Sequence, residues 1–494
     1  MFADSHRAAL EIPRQLPLPS LQSTWYSEPI RLLVFPRTAF LRNPKGFPVL
    51  SRQHQQLLTR LIRLKTPPWM LLSDVDSLSA TNNQSPEPTP AEAAFMPNEK
   101  QRDPFPHLRY LRHLQQSQPP PPPMERFGQG YQDHLLSPLQ PLTDNLESIT
   151  YEVFEKDPVK YEWYERAIAA ALKDLAAVLT QPRKLVVAVV GAGRGPLVTR
   201  ALQASRSTGI VIECWAVEKN PNAFVLLQST NTSDPLWNGQ VNVVKSDMRY
   251  WQGPNTLGSE DKGKKVDILI SELLGSFADN ELSPECLDGV ESVLHPDHGI
   301  SIPQSYSAHL TPISTPRIHA DLHSRQWKEK WEIPYVVMLH QYHYLCTSNT
   351  GENAVPVPDV RTAWSFAHPL PDGILEHAKN RASGSMDAGG CTGGNGSNEH
   401  NTRTCSITLD SSEGGICHGL AGYFETVLYA NGTEKIELST NPLTMEEKSR
   451  DMISWFPIFF PLEVCTPNTP SPVRASRLAN VMIRLRSIFR RNLR

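Results

Sequence analysis

Apolar residues in the middle of the chain fall into four short runs, with helix-length segments between them. Residues 184–190, 210–217, 241–246 and 266–271 are the apolar runs, and residues 195–205 and 221–229 have the length of helices. Continuous apolar runs that alternate with helices are typical of an open, mostly parallel sheet with helices on both faces. The pattern therefore predicts an α/β domain between Tyr151 and Pro303.

The flanking regions have different patterns. Upstream, the run PIRLLVF begins at Pro29 and a helix is predicted from Ser51 to Leu64, followed by proline-rich segments at residues 80–107 and 119–123. After Pro303 the apolar runs have a β-like composition, which predicts an antiparallel, barrel-like region. We predict a first region at 1–130 with a proline-rich linker, the α/β domain at 135–302, the barrel at 303–465 with a flexible insertion at 381–404, and a basic tail at 466–494.

Composition narrows the class of protein. The chain has 494 residues, of which 39% are hydrophobic and 20% charged, with a formal net charge of −3. This balance favours a globular protein of two or three domains and gives no reason to expect nucleic-acid or membrane binding. No apolar run approaches the roughly 18 residues of a membrane span, and the first residues lack a secretory pattern. Seven cysteines without a CxxC pair predict neither a disulfide framework nor a metal site.

Three motifs follow successive predicted strands. VVGAGRGP, with Gly191 and Gly193, comes between a strand and a helix, where glycine permits a tight turn and the helix start favours anionic groups. Glu218 ends the second strand and is suited to accept hydrogen bonds from ribose hydroxyls. Asp247 and Met248 follow the third strand and are suited to an adenine amine and ring. An ordinary turn, a solvated glutamate and a dinucleotide site remain alternative interpretations.

The fourth strand brings two carboxylates to the same edge of the sheet. Glu272 ends that strand, and Glu281 follows nine positions later. Two carboxylates beside a nucleoside site favour a cationic second substrate, and a planar guanidinium matches paired carboxylates well. A solvated acidic loop or a structural ion pair would explain the same residues.

Seven longer motifs, taken together, carry a family resemblance. TYEVFEKDPVKYEWY, GAGRGPLV, AVEKNPNA, SDMR, SELLGSFADNELSPECLDG, HGLAGYFETVLY and SWFPIFFP resemble the type II, symmetric-dimethylating protein arginine methyltransferases. The resemblance implies a Rossmann-like, S-adenosylmethionine-dependent methyltransferase domain followed by a β-barrel domain. Before them it implies a TIM barrel, which is an incomplete remnant here because a full barrel needs about 200 residues.

The resemblance also assigns roles to residues. Glu272 and Glu281 match the catalytic pair that holds the substrate arginine. The matches to cofactor-binding positions are Tyr151, Lys160, Tyr161, Gly191, Gly193, Glu218, Asp247 and Met248. Phe154 matches the residue associated with the symmetric product, Trp455 the aromatic that stacks on the guanidinium, and His368 an active-site loop histidine.

Partners and location follow from the resemblance as well. It implies S-adenosyl-L-methionine as cofactor, protein substrates with Gly/Arg-rich tails such as histones and Sm proteins, a WD-repeat partner, an oligomer, and a place in cytoplasm and nucleus. These imply roles in chromatin regulation and RNA splicing. The short first region puts the WD-repeat partner in question.

The tail after Pro461 departs from the expected pattern. Seven arginines follow from Arg474 onward, and Leu478, Val481, Met482, Leu485 and Ile488 fall at helical spacing. An amphipathic helix is one interpretation, and a truncated or altered gene product is another. Two alternative functions stay open at this point. One is a catalytically impaired isoform that acts as a binding or regulatory protein, and the other is an NAD-dependent dehydrogenase.

Overall fold

The structure is a computed structural model of the 494-residue chain. It describes residues 8–75, 105–179, 181, 183–254, 263–348, 357–370, 404–409, 415–463 and 481–486. The predicted insertion at 381–404, except for its last residue, and most of the proline-rich segment at 80–107 lie outside these residues.

The first region contains three parallel strands in the order β1-β2-β5. Its elements are β1 (Ala8–Glu11), α1 (Pro19–Ser27), β2 (Ile30–Pro36), β3 (Leu41–Arg42), β4 (Pro48–Val49), α2 (Arg52–Ile62), β5 (Trp69–Ser73), α3 (Pro106–Gln116) and α4 (Pro123–Phe127). Leu33 and Phe35 of β2 pack with Leu57 and Leu61 of α2 in one core. The strand predicted after Pro29 and the helix predicted from Ser51 are confirmed, and Ser51 caps the helix by accepting a hydrogen bond from the His54 N–H.

The central region is a five-stranded parallel sheet in the order β10-β9-β6-β7-β8. Its elements are α5 (Ser148–Phe154), α6 (Pro158–Val178), β6 (Leu185–Val190), α7 (Pro196–Thr208), β7 (Ile212–Glu218), α8 (Pro221–Ser233), β8 (Val241–Lys245), β9 (Ile268–Ile270), α9 (Ser283–Val290) and β10 (Ile300–Ile302). Every residue of β6 is buried, as expected for the middle strand of a sheet covered on both faces. The predicted Rossmann-like fold is confirmed.

An antiparallel region follows, in which β11 (Ser305–Ser314) and β18 (Gly419–Ala430) pair along almost their whole length. The other strands of this seven-stranded sheet are β12 (Tyr335–Val336), β13 (His343–Tyr344), β16 (Arg361–Ala367), β19 (Lys435–Ser439) and β20 (Ile458–Pro461). Smaller elements are α10 (Pro316–Ser324), β14 (Thr347–Ser348), β15 (Val357–Pro358) and α11 (Met445–Lys448). The prediction of an antiparallel third region is confirmed.

The long helix α6 joins the parallel and antiparallel regions. The Trp163 indole N–H donates to the Lys448 carbonyl at 2.9 Å, and the Tyr429 hydroxyl donates to Asp174 at 2.7 Å. Because these contacts come from opposite ends of the helix, the antiparallel sheet has a defined position against it. None of the helices in the described residues is long and apolar enough to cross a membrane.

The amphipathic helix that was one interpretation of the tail does not form where the structure describes the tail. Residues Val481–Arg486 form the strand β21, which pairs antiparallel with β17 (Thr404–Leu409). Spacing over so short a segment fits more than one periodicity, and the partner strand lies far away in the sequence. Backbone hydrogen bonds to the partner strand determine that this segment is a strand, and the local sequence pattern does not predict those bonds.

A buried tyrosine tests the packing between α6 and the parallel sheet. Tyr164 is fully buried, and its hydroxyl donates to the Ser271 carbonyl at 2.9 Å. We expect Tyr164→Phe to lower the free energy of unfolding by about 1 kcal/mol, because it leaves that carbonyl without its partner. Denaturant unfolding measures the change. Tyr131→Phe, at an exposed tyrosine, is the control, and equal effects of the two substitutions would contradict the assignment.

Candidate active site

A cavity of about 700 Å³ lies at the carboxyl edge of the parallel sheet. Parallel α/β sheets bind their ligands at this edge, where successive strand ends converge. Twelve of the thirteen residues predicted for the site line the cavity, and they are Tyr151, Phe154, Lys160, Tyr161, Gly191, Gly193, Glu218, Asp247, Met248, Glu272, Glu281 and Trp455. The structure thus brings together side chains from four strand ends, two helices and a loop of the antiparallel region.

The turn after β6 needs its glycines. Gly191 has a φ of 70° and Gly193 a φ of 55°, in the left-handed region that other residues rarely adopt. A Cβ at Gly191 would lie 3.0 Å from a Leu273 methyl group, and one at Gly193 would lie 3.0 Å from the Tyr151 ring. Conformation and space together keep the backbone of this turn bare, so that a ligand can approach it closely.

Glu218 is held by backbone groups on both sides. Its Oε2 accepts the Gly193 N–H at 2.7 Å, and its Oε1 accepts the Asn220 N–H at 2.7 Å. Burial raises the pKa of this carboxyl above its usual value, against the lowering effect of the two hydrogen bonds. A carboxylate offers about four lone-pair positions. Two positions remain for a ligand in the cavity that Glu218 lines.

Sequence reasoning missed two polar partners in this half of the site. Arg249 donates to both oxygens of Asp247, from Nε at 3.0 Å and from Nη2 at 2.7 Å. Burial raises the pKa of Asp247, but these bonds outweigh burial and hold it below its usual value. Asn220 donates its amide to the Tyr151 hydroxyl at 3.3 Å. Arg249 lies in the SDMR motif, two positions after Asp247, and this spacing was the sequence signal that could have predicted the ion pair.

The two glutamates differ in their surroundings. Lys160, almost completely buried, places its Nζ 3.3 Å from Glu272 Oε2. Burial lowers the pKa of this lysine, but Glu272, Tyr161 and Asp157 together raise it more, so the ammonium stays charged. Glu281 forms no hydrogen bond or ion pair with the described part of the chain. Burial and the neighbouring Glu272 raise its pKa well above the usual value, and Lys160 opposes them.

Three aromatic rings surround the lysine ammonium. Lys160 Nζ lies 4.9 Å from the ring centroids of Tyr161 and Trp455, and 5.5 Å from that of Phe154. Aromatic faces at this distance attract a cation. The cavity therefore has a cation position, enclosed by rings, beside two carboxylates. The structural ion pair that the sequence left open as an alternative exists between Glu272 and Lys160.

Three domain models of one protein family match successive parts of the chain. They are described as PRMT5 TIM barrel domain (residues 2–117), PRMT5 arginine-N-methyltransferase (122–302) and PRMT5 oligomerisation domain (305–484). The chain belongs to the PRMT5 arginine-N-methyltransferase family. The predicted resemblance is confirmed. The third match reaches residue 484, well into the segment that sequence analysis separated as a basic tail.

Relatives in this family are about 40% identical to the chain over the aligned residues. Protein arginine N-methyltransferase skb1 of Schizosaccharomyces pombe is 40% identical over 458 residues, which cover 92% of this chain and 63% of the relative. Protein arginine N-methyltransferase 5 of Xenopus laevis is 38% identical, over 93% of this chain and 61% of the relative. The chain thus spans about three fifths of the length of the curated relatives it matches.

Solved structures with a similar fold are more distant. The Trypanosoma brucei PRMT1 enzyme-prozyme heterotetrameric complex with AdoHcy covers 69% of this chain at 16% identity, with a TM-score of 0.45. Arabidopsis thaliana protein arginine methyltransferase 10 covers 64% of this chain at 15% identity, with a TM-score of 0.41.

In this PRMT5-family chain, one buried carboxylate connects the two halves of the cavity wall. Asp157 Oδ1 caps α6 by accepting the N–H groups of Val159 and Lys160, at 3.0 and 3.3 Å. Its Oδ2 accepts the N–H groups of Ile453 and Ser454, at 3.0 and 2.7 Å. The segment just before Trp455 is therefore tied to the first turn of the helix that carries Lys160. An Asp-Pro pair marks a helix start in the sequence, but the second pair of bonds has no local signal.

His368 is the one predicted site residue that does not line the cavity. Its side chain is buried, with Nε2 2.9 Å from the Tyr306 hydroxyl and Nδ1 3.8 Å from Asp288 Oδ1. Asp288, Glu291 and His368 bring potential ligand atoms within 4.8 Å of one another behind the glutamate loop. The structure places His368 in the wall that supports this loop, and its role towards substrate stays a prediction.

The two glutamates are expected to affect stability in opposite directions. Glu272→Gln removes the partner of a buried ammonium and should lower the free energy of unfolding at pH 7.5 by about 3 kcal/mol. Glu281→Gln replaces a carboxyl whose pKa is raised by folding, so it should increase stability at that pH.

The pH dependence separates the two effects. Because the folded pKa of Glu281 lies above the unfolded one, its contribution to stability is complete below the unfolded pKa and is lost as pH rises through the folded pKa. The gain from Glu281→Gln should therefore shrink as the pH approaches 4. Denaturation midpoints at pH 4 and 7.5 measure it, and a gain that is larger at pH 4 would contradict the assignment.

The two functions of Asp157 can be separated by substitution. Asp157→Ser retains a helix-capping oxygen, but this side chain is too short to reach the loop as well. We expect faster amide hydrogen exchange at Ile453 and Ser454 in Asp157→Ser, with Val159 and Lys160 still protected. Asp157→Ala, the matched variant, should release both pairs. Wild-type protection of Ile453 in Asp157→Ser would show that this carboxylate does not hold the loop.

Proposed function

We propose that the chain is an S-adenosyl-L-methionine-dependent protein arginine N-methyltransferase that forms monomethylarginine and symmetric dimethylarginine. The observation that carries the proposal is that Glu272, Glu281 and the Trp455 ring line one cavity, in which the Lys160 ammonium lies 3.3 Å from Glu272 and 4.9 Å from the Trp455 ring centroid. The glycine turn and Glu218 line the same cavity, in a chain of the PRMT5 family.

The residues of the turn side fit the adenosyl part of this cofactor. Glu218 has lone pairs left for ribose hydroxyls, Met248 offers an apolar surface for adenine, and the bare backbone at Gly191 and Gly193 allows close approach. Asp247, paired with Arg249, keeps acceptor capacity for an amine. When bound, the cofactor supplies a sulfonium methyl group. Residues of the chain determine which substrate nitrogen approaches that methyl group.

The carboxylates prepare a guanidinium for attack. Its lone pairs are delocalised, which makes it a poor nucleophile, and carboxylates that bind two nitrogens concentrate the positive charge there. The remaining nitrogen would recover lone-pair character and would be the one presented to the methyl group that a bound cofactor supplies. Burial and the charge of Glu272 raise the pKa of Glu281, whereas the Glu272 carboxylate already has Lys160 as its partner. Glu281 is therefore the better acceptor for the proton that the methylated product loses.

Substrate, assembly and location belong to the same proposal. Phe154 lies on the aromatic side of the cation position, where the family resemblance associates it with a symmetric product. We propose Gly/Arg-rich tails, as in histones and Sm proteins, as substrates, and cytoplasm and nucleus as the location. The match to a domain described as an oligomerisation domain supports an oligomer. A WD-repeat partner would bind the first region, of which three parallel strands are described.

Methyl transfer to a Gly/Arg-rich peptide tests the proposal. With labelled cofactor, the wild-type chain should incorporate methyl groups, and Glu281→Gln should lose at least about 100-fold in kcat without losing stability or cofactor affinity. Calorimetry measures cofactor binding, and Glu447→Gln, at an exposed glutamate, is the control. Cofactor binding without any methylation by the wild-type chain would instead favour a catalytically impaired binding or regulatory protein.

A further inference from the structure

The position of Glu281 needs an explanation, because contacts of its own carboxylate do not supply one. Within the described residues this side chain forms no hydrogen bond or ion pair. A group that must meet a substrate nitrogen within a fraction of an ångström has to be positioned by its neighbours. The contacts that determine its place are therefore those of the loop on either side of it.

The loop has anchors two residues before and two residues after Glu281. Before it, the fully buried Asp279 accepts the Trp364 indole N–H on Oδ1 at 2.7 Å. After it, the Ser283 hydroxyl donates to the Tyr306 hydroxyl at 3.1 Å. Tyr306 and Trp364 belong to the adjacent strands β11 and β16, so the antiparallel sheet holds both ends of the segment.

Aromatic packing supports the first anchor. The Phe277 ring meets the Trp364 ring edge-on, with centroids 5.5 Å apart and an interplanar angle of 80°. Phe460 of β20 packs on the other side of Phe277, at 5.0 Å and 71°. The indole is thereby fixed in orientation, and its N–H has a defined direction towards Asp279.

The backbone of the loop is strained at both sides of the same segment. Ala278 has a φ of 61° and Leu282 a φ of 64°, and left-handed conformation costs such residues roughly 1 kcal/mol each. Strain of this kind persists only where the surroundings impose it. Asp279 and Ser283 each follow a strained residue directly, and both side chains are anchored to the antiparallel sheet.

We propose that Trp364, in the antiparallel sheet, is a positioning residue that acts through Asp279 to hold Glu281 in its productive place. The residue stands outside the cavity lining and 83 positions after the glutamate it positions. This inference rests on the proposed function, since it concerns the same carboxylate. It also assigns a task to Asp279, one of several carboxylates in this loop that look alike in the sequence.

Trp364→Phe removes the indole N–H and keeps an aromatic ring, so it is the variant that tests the hydrogen bond. We expect faster amide exchange over residues 272–283 and a kcat for peptide methylation that falls about tenfold or more, with the cofactor Kd unchanged. Trp215→Phe is the matched control. It also removes an indole–carboxylate bond, from Trp215 to Glu213 at 3.0 Å, but both of these residues belong to β7 of the parallel sheet.

Two variants of the acceptor complete the test. Asp279→Asn keeps an oxygen for the indole and should retain most of the wild-type kcat, whereas Asp279→Leu should lower kcat as Trp364→Phe does. Adding Trp364→Phe to Asp279→Leu should then change kcat little, because both substitutions remove one interaction. If kcat falls in Trp364→Phe while its free energy of unfolding matches that of Trp215→Phe, the loss of activity comes from lost positioning of the loop. A general loss of folding would instead lower the free energy of unfolding of Trp364→Phe below that of the control.

The outcomes distinguish this inference from the proposed function. Loop exchange that is unchanged in Trp364→Phe, or equally faster in Trp215→Phe, overturns the inference whatever the activity. A wild-type chain that binds cofactor but methylates no peptide overturns the proposed function, and the exchange measurement still decides whether Trp364 holds the loop.

Discussion

The Asp157 carboxylate binds four backbone N–H groups that come from two distant parts of the chain. Two belong to the first turn of α6 and two to the segment before Trp455. A carboxylate has enough lone pairs for all four bonds, and hydrogen bonds to a charged acceptor are stronger than those between neutral groups. The carboxylate thus ties the helix that carries Lys160 directly to the segment that leads to Trp455.

The site is consequently built across two layers rather than within one. The parallel sheet supplies the glycine turn, Glu218 and Glu272, and the antiparallel region supplies Trp455 and, through Asp279, the support for Glu281. The Trp455 indole N–H also donates to the Leu274 carbonyl at 2.7 Å, inside the glutamate loop. Cofactor-side and substrate-side groups can therefore keep their relative positions only if the two regions stay packed together.

Charge balance in the cavity follows from the same arrangement. Lys160 neutralises Glu272 in a buried place, which leaves Glu281 as a carboxyl that burial and a like charge push towards its neutral form. A cationic substrate would favour ionisation of Glu281 and thus repay the cost of burying it. Three aromatic rings lie 4.9–5.5 Å from the Lys160 ammonium, so aromatic faces and carboxylates, both of which attract cations, stand together in the cavity.

Local sequence determined the strands, the turn and the residue types of this protein. Apolar runs predicted the parallel strands, because strands buried on both faces consist of continuous hydrophobic residues. The glycines of the turn after β6 predicted a backbone that a ligand can approach closely. The family motifs identified twelve residues that line one cavity. The strand in the tail was not predicted, because spacing in a short segment does not reveal a partner strand.

Tertiary structure alone decided which of several similar side chains has which partner. Asp279 and Glu281 are both acidic loop residues in the sequence, yet one is buried against Trp364 and the other faces the cavity. Lys160 was predicted to contact the cofactor, but the fold also buries it against Glu272. Such pairings depend on contacts between residues 85 and 112 positions apart, and periodicity carries no information about contacts over that separation.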